Sequence, residues 1–144
     1  MPTRKRYLRE TETQAPGSVF YQDRRAASQR LTRMFSRPVF RHPKDEQVLK
    51  RLVRAITSGD DLVLDFFAGS GALGHGVLLA NQADGADRRF VLIQEACPSG
   101  DAEFSTIDQI TCERLRRALA DLPGSHAAGL QAWKWQLESA SGLE

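Results

Sequence analysis

Residues 62–76 read L-V-L-D-F-F-A-G-S-G-A-L-G-H-G, a nearly continuous apolar run followed by closely spaced glycines. The apolar run, over 61–67, predicts a strand that is buried on both faces of a parallel sheet. The glycines predict a tight turn in which the backbone opens into a helix from about residue 71 to residue 83. A strand that passes through such a turn into a helix is the beginning of an α/β unit.

The flanking sequence extends this pattern in both directions. Apolar residues at three- and four-residue spacing predict a helix that begins at Asp45, a short helix over 26–35 and a longer one over 105–122. The run 89–94, R-F-V-L-I-Q, predicts a second buried strand, and the alternation in 129–137 predicts a third. We therefore expect an α/β fold with a mostly parallel sheet, of the Rossmann-like kind but partial in extent.

Composition narrows the class of protein. The chain has 144 residues, 41% of them hydrophobic, which suits one packed domain. No apolar run approaches the roughly 20 residues of a membrane span, and no apolar segment follows the basic N-terminus as in a signal peptide. Cys97 and Cys112 lack the spacing of a zinc site or a disulfide framework. We expect a cytoplasmic protein with no membrane partner and no metal.

The charge is unevenly distributed. Residues 1–60 carry 14 Lys and Arg against 6 Asp and Glu, whereas residues 61–144 carry 6 against 12. A basic half of this size suits a phosphate backbone, so DNA or RNA is one possible partner. A solvated charged surface or a protein interface is an equally good reading of charge alone.

The glycine turn matches the G-x-G-x-x-G pattern at residues 69–74, directly between a predicted strand and a predicted helix. The ligand could be a dinucleotide or S-adenosylmethionine. Asp65 lies at the strand end, four residues before Gly69, where its carboxylate would repel a pyrophosphate. S-adenosylmethionine has no phosphate and carries an ammonium and a sulfonium, so Asp65 favours that cofactor. An NAD-dependent oxidoreductase remains as an alternative, and so does a turn with no ligand.

The end of the second predicted strand supplies a further candidate. In nucleotide-binding α/β folds, a polar or acidic residue at this place hydrogen-bonds the ribose hydroxyls. Gln94 and Glu95 both stand there. Gln94 is the first choice as the ribose partner and Glu95 is the alternative. A third possibility is that both residues only cap the strand and bind no ligand.

These residues resemble the modification subunits of type III restriction–modification systems, which are amino-methylating DNA methyltransferases of the N-4/N-6 family, beta class. The resemblance rests on L-D-F-F-A-G-S-G and G-H-G-V-L in the glycine turn, on 81–94 and on the helix T-I-D-Q-I-T-C-E-R-L-R-R-A at 106–118. It also includes 39–44, V-F-R-H-P-K, which is similar to the family's F-x-x-P-K-P element, and the later strand at 129–137. It covers about residues 35–137.

The resemblance implies a methyltransferase domain that binds S-adenosylmethionine and methylates the exocyclic amino group of adenine in DNA. It assigns cofactor contacts to the F-x-x-P-K-P element and to the glycine turn. Together with the ribose candidates, the expected cofactor-binding residues are Phe40, Pro43, Lys44, Asp65, Phe66, Phe67, Ala68, Gly69, Ser70, Gly71, Gln94 and Glu95. By the same resemblance, a second modification subunit and a restriction subunit are expected partners.

The chain departs from the family pattern at several places. Ala72 and Leu73 stand where the family usually has two threonines, and Asp45 replaces the second proline of P-K-P. His75 matches a position that is often histidine, and we expect it to pack or cap rather than to catalyse. The family's catalytic motif, [Asp/Asn/Ser]-Pro-Pro-aromatic, receives the flipped base. No Pro-Pro pair occurs in these 144 residues, so no catalytic residue is assigned.

In this class the catalytic motif lies upstream of the cofactor motif. We therefore expect residues 1–34 to be a basic polar segment belonging to a larger upstream region and residues 35–140 to be the cofactor-binding part of the domain. Two functions are carried forward. The first is the cofactor-binding portion of a DNA adenine methyltransferase, inactive alone and dependent on an upstream polypeptide. The second is a non-catalytic remnant that binds S-adenosylmethionine or DNA.

Overall fold

A computed structural model describes residues 17, 19, 22–122 and 129–133 of the chain. Within them, four helices alternate in part with two short strands. In chain order the elements are α1 (Arg24–Phe35), α2 (Glu46–Ile56), β1 (Leu62–Asp65), α3 (Ala72–Asp84), β2 (Arg89–Leu92) and α4 (Ile107–Asp121).

The helix that the sequence predicts from Asp45 is α2, and its first turn shows why it begins there. The Asp45 side chain accepts hydrogen bonds from the backbone N–H of Gln47 at 2.8 Å and of Val48 at 3.3 Å, which satisfies two amides that have no partner inside the helix. The carboxylate also complements the positive end of the helix dipole. The residue that departs from the family's proline is therefore the N-cap of α2.

The two strands pair in parallel, as the sequence predicts. Leu62 lies opposite Arg89, and the register continues to Asp65 opposite Leu92. Hydrogen bonds from Arg89 N to Asp61 O at 3.0 Å and from Ile93 N to Asp65 O at 2.8 Å close the ladder at its two ends. Both strands are shorter than predicted because the chain turns into loops after these residues.

One face of the sheet packs against helices. Val53 of α2 and Val77 and Ala80 of α3 form a fully buried cluster, against which Val63 and Phe90 of the two strands pack. A second cluster joins α1 to α4 through Leu31, Phe35, Val39 and Ile110. The helices α2 and α3 therefore form the layer that supports β1 and the turn after it.

The opposite face of the sheet is exposed, so the prediction that both strands are buried on both faces is wrong for the described residues. The alternating residues Leu62, Leu64 and Val91 are 58%, 48% and 44% exposed, and Phe66 and Ile93 beyond the strand ends are 60% and 47% exposed. The physical reason is that the described helices lie on one side only. We call these five residues the open sheet face.

The third predicted strand is not found where the structure describes it. Residues 129–133 form a turn and irregular backbone, while residues 134–137 of that prediction lie outside the described residues. Without a paired neighbour, the alternation of side chains in this segment does not by itself form a strand. None of the described helices is long and apolar enough to cross a membrane.

Candidate cofactor-binding site

The glycine turn predicted to hold a ligand joins β1 to α3. Gly69 and Gly71 both adopt left-handed backbone, with φ of +54° and +74°, which residues with a Cβ rarely do. The turn is anchored by Ala68 N, which donates to Ile93 O at 3.1 Å, and by Gly71 N, which donates to Ala68 O at 2.8 Å. We call residues 69–71 the cofactor loop.

Helix α4 supports the cofactor loop from behind. The Thr111 hydroxyl donates to the carbonyl oxygen of Gly69. The Arg114 guanidinium donates to the Ser70 hydroxyl at 2.9 Å and to the Ser70 carbonyl oxygen at 3.4 Å. A Cβ on Gly71 would lie 3.0 Å from Thr111 Cγ2, so the loop and α4 approach more closely than a side chain at Gly71 would allow.

Arg114 belongs to a buried ion-pair network that the sequence did not indicate. Its guanidinium donates to Glu46 Oε2 at 3.1 Å, and Arg30 pairs with the other oxygen of the same carboxylate and with Asp45 at 2.8 Å. Arg114 is 1% exposed and Glu46 2% exposed. Burial lowers the pKa of Arg114 to about 10 although the Glu46 carboxylate opposes this change. The network ties the starts of α2 and α3 to α4.

His75 lies in the first turns of α3 beside this network. Its Nδ1 accepts a hydrogen bond from Arg114 Nε at 3.4 Å, and the residue is partly buried beside this arginine. Burial and then the positive charge of Arg114 lower the pKa of His75 to about 4. This placement agrees with the predicted packing role.

Asp65 stands at the end of β1, immediately before the cofactor loop. Its Oδ1 accepts a hydrogen bond from Phe67 N at 2.9 Å, and among the described residues no cationic side chain pairs with this carboxylate. Phe66 and Phe67 follow it and are 60% and 91% exposed. The strand end therefore presents a half-buried anion flanked by solvent-facing aromatic surface.

The segment 39–44 approaches the loop through one of its three predicted contact residues. A Cβ on Gly69 would lie 3.7 Å from Phe40 Cζ, which places the Phe40 ring beside the loop. Pro43 is buried and Lys44 is exposed. The structure thus brings Phe40 to the cofactor loop, and Pro43 packs inside.

The two ribose candidates differ in what they contact. Gln94 Oε1 accepts a hydrogen bond from Gly69 N at 2.7 Å, and Gln94 Nε2 donates to Glu95 O at 2.9 Å. The Gln94 amide is therefore engaged with the cofactor loop itself. Glu95 is exposed and lies three residues beyond the end of β2, the strand that pairs with β1.

Some of the arginines in the basic first part of the chain form ion pairs with carboxylates later in the chain. Arg37 pairs with Asp101 and with Glu103 at 2.8 Å, and Arg54 pairs with Asp84 at 3.2 Å. Several other cations are exposed with no ion pair among the described residues: Arg25, Arg33, Arg41, Lys44 and Arg51. Among the described residues of this region, these are exposed side chains that a nucleic-acid surface could use.

Comparison with known proteins identifies the family. A model of the DNA methylase family, the N6/N4 group, matches residues 2–95, and the chain belongs to this family. It is 37% identical over 101 residues to the type III restriction-modification enzyme StyLTI Mod subunit of Salmonella typhimurium, and 32% identical over 109 residues to the EcoP15I Mod subunit of Escherichia coli. It is also 31% identical over 112 residues to the type II methyltransferase M.KpnI of Klebsiella pneumoniae.

These matches cover most of this chain but a small part of each relative. The aligned parts are 66%, 70% and 74% of this chain for StyLTI, EcoP15I and M.KpnI respectively. They are 16%, 17% and 26% of the three relatives. The chain therefore spans about a sixth to a quarter of the length of the curated relatives it matches.

Proposed function

We propose that this chain is the S-adenosylmethionine-binding portion of a site-specific DNA adenine methyltransferase and that it folds as part of a Rossmann-like methyltransferase domain. The observation that carries the proposal is the position of Asp65. Its carboxylate has no cationic partner among the described residues and stands directly before a loop with two left-handed glycines.

The chemistry around the loop fits S-adenosylmethionine better than a dinucleotide. A carboxylate at the strand end attracts the ammonium and sulfonium of this cofactor, whereas it would repel a pyrophosphate. The exposed ring of Phe67 and the ring of Phe40 beside Gly69 offer apolar surface to the adenine and the methionine chain. When bound, the cofactor supplies an electrophilic methyl group.

The different contacts of Gln94 and Glu95 support different roles for the two residues. Because Gln94 Oε1 accepts from Gly69 N, this side chain fixes the loop. Glu95 is exposed in the segment that follows β2 and has a carboxylate suited to two ribose hydroxyls. We therefore propose Glu95 as the ribose partner and Gln94 as a support of the loop. Calorimetric titration with S-adenosylmethionine and with analogues of it that lack one ribose hydroxyl distinguishes the two roles. Glu95→Gln should change the preference for the complete ribose, whereas Gln94→Leu should weaken the binding of both ligands.

The proposed substrate is DNA, and the proposed partner is the polypeptide that presents the base. The sequence has no Pro-Pro pair, so none of its residues is proposed to receive the flipped adenine. The relatives are four to six times longer than the parts that align here, which leaves ample chain for that task. The names of the type III relatives support a further partner, a restriction subunit, and a second modification subunit is proposed with it.

The open sheet face is the surface proposed to receive this partner. Strands of a parallel sheet are normally covered on both sides, and a two-stranded sheet is marginal by itself. Leu64 and Val91 are paired in register and half exposed at the centre of the face. Their burial by the polypeptide that carries the catalytic motif would complete the sheet and place that motif beside the cofactor loop.

Methyl transfer tests the proposal directly. The purified chain, incubated with methyl-labelled S-adenosylmethionine and DNA, should transfer no label. Addition of a polypeptide that carries the catalytic motif of this family should produce labelled N6-methyladenine. Leu64→Lys should abolish this restoration, whereas the matched control Gln82→Lys, at an exposed position of α3 outside the open sheet face, should not. Transfer by the chain alone would refute the proposed dependence on a partner.

A further inference from the structure

We infer that Thr111 and Arg114 of α4 are positioning residues for the cofactor loop, and that they set its affinity for S-adenosylmethionine through the loop backbone. The inference rests on the proposed function for its ligand. It assigns a role to α4, a helix that contributes none of the expected cofactor contacts.

The two residues bind consecutive carbonyl groups. Thr111 donates to Gly69 O, and Arg114 donates to Ser70 O at 3.4 Å. In a trans peptide the N–H of the next residue points opposite to the carbonyl, and the described residues contain no cis peptide. The Ser70 N–H is therefore directed away from α4. Among the described residues no backbone carbonyl accepts a hydrogen bond from it, and Ser70 is 3% exposed, so the direction of this donor depends on how the loop is held against α4.

Arg114 can hold the loop because its own position is fixed. All three nitrogen atoms of its guanidinium have acceptors: His75 Nδ1 for Nε, Ser70 for Nη1 and Glu46 Oε2 for Nη2. The planar guanidinium donates in fixed directions, unlike a lysine ammonium. Glu46 is buried and is also held by Arg30 of α1. The position of the Arg114 guanidinium, and with it the position of Ser70, therefore depends on how α1, α2 and α4 pack together.

Thr111 contributes shape as well as a hydrogen bond. Its hydroxyl lies 3.0 Å from Ile107 O in the preceding turn of α4, so its rotamer is held against its own helix. Its methyl group lies against Gly71, where a Cβ would meet it at 3.0 Å. A change of Thr111 to Val keeps this shape and removes the hydroxyl, with its contacts to Gly69 O and to Ile107 O. That variant is the sharpest probe of positioning.

A matched control exists on the same helix. Arg117 also ties α4 to a backbone carbonyl, donating to Met34 O at 2.8 Å, but that carbonyl belongs to α1 and not to the loop. Arg117→Met and Arg114→Met each remove an arginine that donates from α4 to a backbone carbonyl, but Arg114 also holds buried Glu46, whereas Arg117 pairs with Glu113 of its own helix. Only Arg114→Met disturbs the cofactor loop.

Calorimetric titration of the full chain with S-adenosylmethionine at 15 °C tests the affinity. Thr111→Val should weaken binding about tenfold, which is the loss of one hydrogen bond. Arg114→Met should weaken it more and Arg114→Lys should restore part of the loss, while Arg117→Met should bind as the unmodified chain does. Equal affinity of Thr111→Val and the unmodified chain overturns the inference.

Amide hydrogen exchange, measured without cofactor, reports on the loop separately from the stability of the whole chain. If α4 holds the loop, the hydrogen-bonded amides of Gly69 and Gly71 should exchange about tenfold faster in Thr111→Val, with the amides of β1 unchanged. Arg117→Met should leave these loop amides as they were. Uniform acceleration across the chain, or none at the loop, overturns the inference. If the unmodified chain does not bind S-adenosylmethionine, the proposed function fails, and exchange still decides whether α4 positions the loop.

Discussion

Replacement of Gly71 by Ala tests the geometry of the cofactor loop most sharply. Gly71 has φ of +74°, and left-handed backbone costs a residue with a Cβ about 1–2 kcal/mol. The new methyl group would also lie 3.0 Å from Thr111 Cγ2 and 3.4 Å from Thr111 O, so α4 would have to move. Such overpacking costs about 1–3 kcal/mol. A smaller conformational freedom of the unfolded chain offsets about 0.4–1 kcal/mol.

The expected loss in free energy of unfolding is therefore about 3 kcal/mol. Gly85→Ala is the matched control, because Gly85 has φ of +69° and no atom would lie within 4 Å of its Cβ. That variant meets the backbone cost alone, about 1 kcal/mol after the unfolded-state offset.

Urea denaturation followed by circular dichroism measures both variants, with the difference taken from the shift of the midpoint at constant slope. Gly71→Ala should lose about 2 kcal/mol more than Gly85→Ala. Equal losses would show that α4 does not press against the loop as described. A loss confined to Gly85→Ala would contradict the assigned backbone of both residues.

Three further outcomes are expected. Gly76→Ala should destabilise the fold by about 1–2 kcal/mol in urea denaturation, because its Cβ would meet backbone atoms of α2 at 3.1–3.3 Å. Gly74→Ala should be nearly neutral in the same assay, because the atoms closest to its Cβ are the ends of flexible side chains. Because the pKa of His75 is lowered to about 4, the folded state disfavours protonation of this residue. Its contribution to stability should be complete above the unfolded pKa of about 6.5 and should be lost as the pH falls towards 4. His75→Gln should flatten this pH dependence of the melting temperature, measured between pH 4 and 7. The exposed apolar residues of the open sheet face should make the chain self-associate when no partner covers them. Leu64→Thr should reduce this self-association in sedimentation velocity without lowering the melting temperature, since Leu64 is 48% exposed.

Local signals in the sequence were sufficient for the elements that frame the loop. The carboxylate of Asp45 before an apolar periodic run predicts the start of α2, and its side chain does cap that helix. The apolar run before Gly69 and the glycines after it predict the β1–loop–α3 unit and its parallel pairing with β2. These features depend on residues that are near one another in the chain.

Features that depend on distant residues could not be predicted. Glu46 and Arg114 are 68 positions apart, and charged residues on helices are normally solvated, so their buried pairing has no local signal. The hydrogen bond from Gly69 N to Gln94 Oε1 depends on how β2 pairs with β1, so the sequence gives no signal of it, and Gln94 as a ribose partner stays a prediction. An apolar strand likewise predicts burial, and it does not tell whether the covering layer lies on this chain.

The central claim is that Asp65 and the cofactor loop hold S-adenosylmethionine. Isothermal titration calorimetry of the purified chain with S-adenosylmethionine and with NADH tests it most directly. We expect S-adenosylmethionine to bind at one site, NADH to give no heat, and Asp65→Asn to weaken binding about tenfold or more, since a charge-assisted contact with the ammonium is lost. Binding of NADH without a response to S-adenosylmethionine, or equal affinity of Asp65→Asn and the unmodified chain, would contradict the claim.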